Sequence, residues 1–317
     1  MKLKEIFEKQ GGMKLIHQYR KCGALGTAIG EFILLGKSRT GLEILREAAQ
    51  LKIVQKLDKT YGTKADKMLK DFDNSVEHRN GENVWFCWYQ GIENAPDIVK
   101  TCYYSATEAY KGKKNIKLLT EQNYRKFIQF PQVIEDKIQK GIINGAHLSD
   151  LIRLELLINY GGIWSDATVF YSGEVPDYML NPELFMFQCL KPGSDGEATV
   201  ISNWYISAKS NNKLLTVTRD LLYDYWSQND ELVDYFLFHD MFQLVINRCK
   251  DEWDKVIPFS NSTPHILLLR LFEKYDAEIW DSIKSQTSIH KLTYKFSESD
   301  TKKEKTYYEK IVKHTFI

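Results

Sequence analysis

The chain lacks an excess of charge of either sign: 43 Lys and Arg nearly cancel 42 Asp and Glu over 317 residues. Such balance gives no long-range pull toward nucleic acid or anionic lipid, which disfavours a polyanion binder. Paired cysteines are missing too. Cys22, Cys87, Cys102, Cys189 and Cys249 are odd in number, widely spread and without CxxC or zinc-finger spacing, a pattern that suits free thiols in a reducing cytoplasm. The most apolar early run, "ALGTAIGEFILLG", covers about 13 residues and contains Glu31, short of the roughly 20 that span a bilayer. Surface attachment stays open. The opening "MKLKEIFEKQGG" mixes acids with bases and has no continuous apolar segment of the kind a secretory signal needs. Also absent are a GxGxxG dinucleotide loop, a P-loop, an HExxH zinc helix, a GxSxG elbow, basic patches interleaved with aromatics, internal repeats and Pro-, Gly- or Ser-rich linkers.

What is present is a folded-protein composition, 43% hydrophobic and 13% aromatic, in a chain long enough for a sizeable core. Residues 1–80 read as a helical extension, clearest in "TGLEILREAAQLKIVQKLDKTYG", where Thr40 is a candidate cap. At residue 84 the texture changes. "VWFCWYQG" reads as a buried strand, "DIVKTCYYSATEAYKG" as a helix and "NIKLL" as a second strand; helices follow over 131–140 and 147–159. That alternation predicts an α/β sheet with crossover helices, whose ligands sit beyond the carboxyl ends of the strands. Further on, "ELFMFQCL", "TVISNWYISAK" and "HKLTYKF" read as strands, and "KLLTVTRDLLYDYWSQ" and "ELVDYFLFHDMFQLVINRC" as helices. The simplest partition is a helical extension, 1–80, followed by one catalytic-sized domain, 81–317.

The chemistry gathers in "AHLSDLIRLELLINYGGIWSDAT". Ser149 reads as an N-cap that puts Asp150 in the first helical turn, and Arg153 lies three residues on, on the same face. Taken alone, this is an ordinary ion pair worth a few tenths of a kcal/mol if exposed. Its setting is less ordinary, because apolar residues surround it, a double glycine stops the helix and a strand then delivers Asp166. Acids at a strand end facing a helix form a pocket able to hold sugar or ribose hydroxyls and a hard cation.

"SDLIRLELLINYGGIWSDAT" resembles the helix-to-DxD segment of GT-A fold glycosyltransferases that share a DxD-type sugar-binding region. These include the capsular polysaccharide synthesis enzymes and, more distantly, the clostridial glucosylating toxins. The resemblance runs from "VWFCWYQGIENAPDIVK" through "DYFLFHD" and "PHILLL" to "HKLTYK". It implies a GT-A (Rossmann-like) nucleotide-sugar-binding domain. By the same resemblance Trp88 stacks on uracil, Asp150 and Arg153 hold the donor sugar, and Asp166 is the first acid of DxD, near the metal-bound diphosphate. Position 168, where the second acid would stand, is Thr168, a weaker neutral ligand for a hard ion. Asp166 with His290 is then the candidate pair for Mn²⁺ or Mg²⁺, and Lys291 and Lys295 are candidates to neutralise the diphosphate. His239 and Asp240 are candidates for the acceptor side, with Asp240 available for general-base work. Trp204 and Tyr205 fit either a sugar face or the core, and His147 and Glu155 carry no assignment.

The function so implied is retaining transfer of a hexose, galactose or glucose, from a UDP-sugar to a glycan acceptor. The acceptor expected is a lipid-linked one in capsular or surface polysaccharide synthesis, handled in the cytoplasm with peripheral contact at the inner face of the membrane. A protein-modifying glycosyltransferase and a catalytically inactive nucleotide-sugar binder are the rivals, and Thr168 is the feature that sustains the second.

Overall fold

A computed structural model describes residues 12–190 and 198–314. The first eleven residues of the expected helical extension lie outside that range. The extension contains α1 (Gly12–Cys22), α2 (Leu25–Leu35) and α3 (Arg39–Asp71). Ser38, rather than Thr40, caps α3, and its side chain accepts from the Gly41 amide at 2.9 Å. Ala49, Ile53, Leu57, Tyr61 and Ala65, each four residues apart, form a buried stripe along α3. Side chains at that spacing share one helix face. This face enters the same hydrophobic cluster as Trp85, Leu151 and Phe238, so the N-terminal helices share a core with the sheet.

The sheet is built from β1 (Asn83–Cys87), β2 (Asn115–Leu119), β3 (Gly162–Asp166), β5 (Leu184–Gln188) and β6 (Ile201–Ala208). Their order is β2-β1-β3-β6-β5. β1 pairs in parallel with β2 and β3, while β6 is antiparallel to both β3 and β5. Four strands therefore run one way and β6 runs against them. The strand β5 is buried along its whole length, which is why its sequence reads as a continuous apolar run instead of an alternating one. α4 (Asp97–Ala109) connects β1 to β2, and α5 (Gln132–Gln139) and α6 (Gly145–Tyr160) connect β2 to β3. This is the expected α/β architecture with an N-terminal helical extension.

After the sheet's last strand, α7 (Lys213–Gln228) and α8 (Leu237–Ile246) pack against α3. The helix expected over 231–249 begins at Leu237, which leaves Tyr235 and Phe236 in an exposed approach to it. A separate ribbon pairs β4 (Val169–Tyr171) with β7 (Ile289–Lys291), in the register Val169 to Lys291 and Phe170 to His290. The strand read in "HKLTYKF" is limited to the first residues of that stretch. α9 (Ser262–Arg270), α10 (Ala277–Gln286) and α11 (Tyr307–His314) follow one another toward the C-terminus. Leu267, Ile283 and Ile311 pack them against Phe86 and Val99 on the far side of β1.

The glycine pair between α6 and β3 has a steric cause. Gly161 and Gly162 adopt φ of 67° and 96°, and a Cβ on Gly162 would lie 2.3 Å from the Asn83 carbonyl oxygen. Only glycine tolerates both the dihedral and the approach. The Gly161 carbonyl in turn accepts from Trp85 Nε1 at 3.1 Å. The turn thus locks the end of α6 to β1 and fixes where Asp166 emerges.

Candidate functional site

The site begins on α6. Leu151, Ile152, Leu154, Leu156 and Leu157 are all fully buried, so the helix is enclosed along its middle and its charged residues, Asp150, Arg153 and Glu155, are carried inside with it. The helix starts at Gly145, with Asn144 preceding it and no side-chain cap. Ser149 is therefore not an N-cap, and Asp150 lies beyond the first turn. The helix dipole therefore does not stabilise its charge, and its side-chain partners do.

Those partners converge. Arg153 Nη1 lies 3.0 Å from Asp150 Oδ1, and Nη2 lies 3.3 Å from Asp166 Oδ1. The guanidinium sits 4.8 Å from the Trp164 ring centroid. Trp164 Nε1 donates to Asp166 Oδ1 at 2.9 Å; residues two apart on a strand point to one face. Asp166 Oδ2 accepts from Lys291 Nζ at 3.0 Å, and the same ammonium donates to Thr168 Oγ1 at 2.8 Å. Asn203 Nδ2, from β6, donates to Asp150 Oδ1 at 2.9 Å. Two carboxylates, one guanidinium and one ammonium thus form a single cluster.

Register sets its location. Cys87, the last residue of β1, pairs with Asp166, the last residue of β3. Trp88 follows directly and so sits beside the cluster at the carboxyl ends of parallel strands, where open α/β sheets bind ligands. Its ring is half-buried, meets the exposed Tyr294 edge-on at 5.3 Å, and leaves Nε1 without a hydrogen-bond partner. Two cavities lie elsewhere, one of about 370 Å³ beside His78 and Lys255 and one of about 470 Å³ beside Ser105 and Glu174. Neither is lined by Asp150, Arg153 or Asp166.

The two acids differ in their electrostatics. Burial raises the Asp150 carboxyl to about 6; Arg153 opposes the rise and Asp166 adds to it. Burial also acts to raise Asp166, but Lys291 and Arg153 outweigh it and hold that carboxyl below its usual range. Asp166 is the firmly ionised member. His147, 3.9 Å from Asp150, is pushed down to about 4 by burial and stands neutral there.

Several expected residues fall elsewhere. His290, expected to join Asp166 in holding a metal ion, faces the opposite side of β7 from Lys291, as strand alternation requires. It is fully buried between Phe170 and Trp280, and its Nε2 pairs with Ser172 Oγ at 2.8 Å. Asp240, expected on the acceptor side, is fully buried, points toward α3 and bonds Gln50. Burial, together with the neighbouring Asp234 carboxylate, raises it well above the usual range. It is a structural residue between helices. His239, one position earlier, faces the cluster: burial lowers it to about 3, the Arg153 charge contributes, and Nδ1 has no partner. Lys295 is exposed over the Tyr294 ring at 6.0 Å, on the rim beyond Trp88. Trp204 and Tyr205 belong to the core, and Glu155 serves Arg219, Tyr223 and Asn159.

Asn203, Tyr235 and Trp164 were not singled out from the sequence. Trp164 had a local signal, its two-residue offset from Asp166 on one strand. Tyr235 is exposed, its ring lies 5.7 Å from His147, and the charges of Asp150, Asp166 and Arg153 all act on its hydroxyl. Neither Tyr235 nor Asn203 carries a sequence mark, since each arrives from a distant segment.

A hard divalent ion prefers a shell of oxygen ligands rich in carboxylates. Here Lys291 Nζ stands between Asp166 Oδ2 and the neutral Thr168 hydroxyl. Among the described residues, no group of three or more His, Cys, Asp or Glu gathers in a way that could hold a metal. This donor set does not fit Mn²⁺ or Mg²⁺.

The chain resembles several known proteins. It is 28% identical over 163 residues to the O-glycosyltransferase braB of Annulohypoxylon truncatum, covering 46% of this chain and 38% of that protein. It is 25% identical over 162 residues to the O-glycosyltransferase PaGT of Phomopsis amygdali, covering 46% and 39%. The chain thus spans about two-fifths of the length of these relatives. The solved structure of PaToxG glycosyltransferase overlays with a TM-score of 0.41 and 15% identity, over 82% of this chain and 95% of that one, a likeness too loose to bear on fold or function. A family model described as capsular polysaccharide synthesis protein matches residues 40–311. Because that match takes in every strand and the whole cluster of Asp150, Arg153, Asp166 and Lys291, the chain belongs to the capsular polysaccharide synthesis protein family.

Proposed function

We propose that this chain is a retaining glycosyltransferase that moves a hexose, galactose or glucose, from a UDP-sugar to a hydroxyl of a glycan acceptor. The observation that carries the reading is the meeting of Asp150, Arg153, Asp166 and Lys291 beyond the carboxyl ends of β1 and β3, next to Trp88. In this reading Trp88 offers the uracil a flat face. Asp150 and Asn203 accept and donate hydrogen bonds to sugar hydroxyls, and the cations of Arg153 and Lys291 face the diphosphate. Front-face displacement, in which the acceptor attacks from the side the diphosphate leaves, asks the protein for positioning and charge stabilisation. That matches a site rich in fixed charges without a nucleophile and base pair. The names of the fungal relatives, O-glycosyltransferases, favour an oxygen acceptor.

A lipid-linked acceptor for surface polysaccharide is the acceptor class we propose, met at the inner face of the membrane. Support comes from α2, whose end exposes Phe32, Ile33 at 75%, Leu34 at 79% and Leu35. Exposed Lys37 and Arg39 follow at once. Apolar tips flanked by cations suit an interfacial contact with anionic lipid. No helix among the described residues is long and apolar enough to cross a membrane.

The test measures UDP binding and UDP-sugar hydrolysis by the wild type and by Asp166→Asn, with transfer to lipid-linked oligosaccharide assayed beside transfer to protein. We expect wild-type turnover and its near loss in the variant, which also loses stability because Lys291 and Arg153 are left without their shared counter-ion. Binding without turnover in the wild type would leave an inactive nucleotide-sugar binder. Transfer to protein alone would make it a protein-modifying enzyme.

A further inference from the structure

We infer that the cation facing the departing diphosphate in this chain is the ammonium of Lys291, taking the place that a divalent metal ion occupies in a two-acid DxD site. This rests on the reading that the site holds a nucleoside diphosphate sugar. Three observations lead to it.

The first is charge balance. Two acids with a divalent ion are neutral overall, and one acid with an ammonium is neutral too. Here position 168 is Thr168, and a single positive charge lies within hydrogen-bond reach of both Asp166 and Thr168, at 3.0 and 2.8 Å. The loss of one acid and the gain of one lysine together supply the two positive charges that the dication would otherwise bring, so the local charge is the same in both arrangements. A dication at this point would have to displace Lys291 and would face one carboxylate instead of two.

The second is donor capacity. An ammonium carries three N–H groups, and two of those on Lys291 are used by Asp166 and Thr168. The third is left for a ligand oxygen. Arg153 presents a second set: its Nε and Nη1 are buried without a hydrogen-bond partner, and Nη1, though 3.0 Å from Asp150 Oδ1, is not aligned for a hydrogen bond to it. Buried donors without partners cost stability unless something else satisfies them, and a diphosphate has acceptors to spare.

The third is rigidity. Lys291 ends β7, paired with Val169, and the next amide, of Leu292, donates to the Thr168 carbonyl at 2.8 Å. The ribbon therefore binds the lysine to the very segment that bears Asp166 and Thr168. Only 17% of the Lys291 side chain is exposed. A charge held in place before the reaction stabilises developing negative charge without reorganisation.

In the transfer step the bond between the anomeric carbon and the β-phosphate oxygen breaks, and its electron pair leaves with UDP. The acceptor oxygen forms the new bond to that carbon, and its proton passes to the departing phosphate oxygen. Lys291 donates hydrogen bonds to the leaving oxygens and transfers no proton.

The experiment uses the full chain and UDP as probe. UDP affinity by calorimetry and UDP-sugar hydrolysis are measured in excess EDTA and again with added Mn²⁺, for the wild type, Lys291→Met and Lys291→Arg. We expect wild-type binding and turnover to persist in EDTA, Lys291→Met to lose about 100-fold or more in turnover and weaken UDP binding, and Lys291→Arg to recover part of both. Wild-type activity and UDP binding that vanish in EDTA and return with Mn²⁺ would overturn the inference while leaving the proposed function standing. This arm needs no variant, so misfolding of Lys291→Met cannot mask it. Failure to bind UDP or hydrolyse any UDP-sugar in either condition would instead remove the functional reading beneath it.

Discussion

Asp150→Asn replaces an ionisable carboxyl with a neutral amide of the same shape. The folded chain raises this carboxyl from 3.8 to about 6, chiefly through burial. A shift of roughly two units corresponds to something on the order of 3 kcal/mol. A folded-state value above the unfolded one means that the native protein holds the proton more tightly. That contribution to stability is fully present below pH 3.8 and is lost as pH rises through about 6. Asparagine has no such ionisation, and its side-chain oxygen can still accept from Asn203. The counter-charge that Asp150 gives Arg153 exists only above about pH 6 and is already contained in that folded-state value, while Asp166 remains 3.3 Å from Arg153 in both proteins. Asp234 and Asp240, both also raised by burial, are common to the two proteins and cancel in the difference. About 2 kcal/mol of the Asp150 contribution is still present at about pH 4.5, so thermal unfolding followed from there to about pH 8 should show the variant gaining on the wild type by roughly 4 °C as pH rises, from about 2 °C per kcal/mol for a chain of this size. Turnover of UDP-sugar should fall over the same range, because the amide cannot accept sugar hydroxyls at both positions. A constant offset in melting temperature between the two proteins at every pH would refute the account of Asp150.

Trp88→Ala should weaken UDP binding by about 1–3 kcal/mol, the usual worth of a base stacked on an aromatic; a drop in melting temperature with unchanged UDP affinity would make Trp88 purely a packing residue. The double substitution Ile33→Ser with Leu34→Ser should reduce co-sedimentation with vesicles containing anionic lipid and leave hydrolysis of UDP-sugar in solution untouched. Equal sedimentation of both proteins would remove α2 from the membrane proposal, and a loss of dimer on size exclusion would point to a second copy as the occupant of that face.

Local covalent geometry made the first half of the site legible. Asp150 and Arg153 share a helix face because they are three residues apart, and Trp164 and Asp166 share a strand face because they are two apart. Gly161 and Gly162 announced a turn that the close approach to Asn83 then required. The α/β alternation was readable as well, since strands such as "NIKLL" are short apolar runs between helix signals. Capping was read less well: Ser149 and Thr40 have the right chemistry, but nearby residues start those helices earlier.

What the sequence by itself determined was therefore which residues face which way along one element, because helix and strand periods are fixed by the backbone. Only the tertiary structure decided which elements meet. Lys291 reaches Asp166 across 125 residues because β7 pairs with β4, and that same pairing turns His290 to the opposite face. Asn203 reaches Asp150 because β6 runs against β3, while Asp240 is drawn toward Gln50 by the packing of α8 on α3. The raised carboxyl of Asp150 belongs to this second class, since desolvation depends on everything packed around a charge.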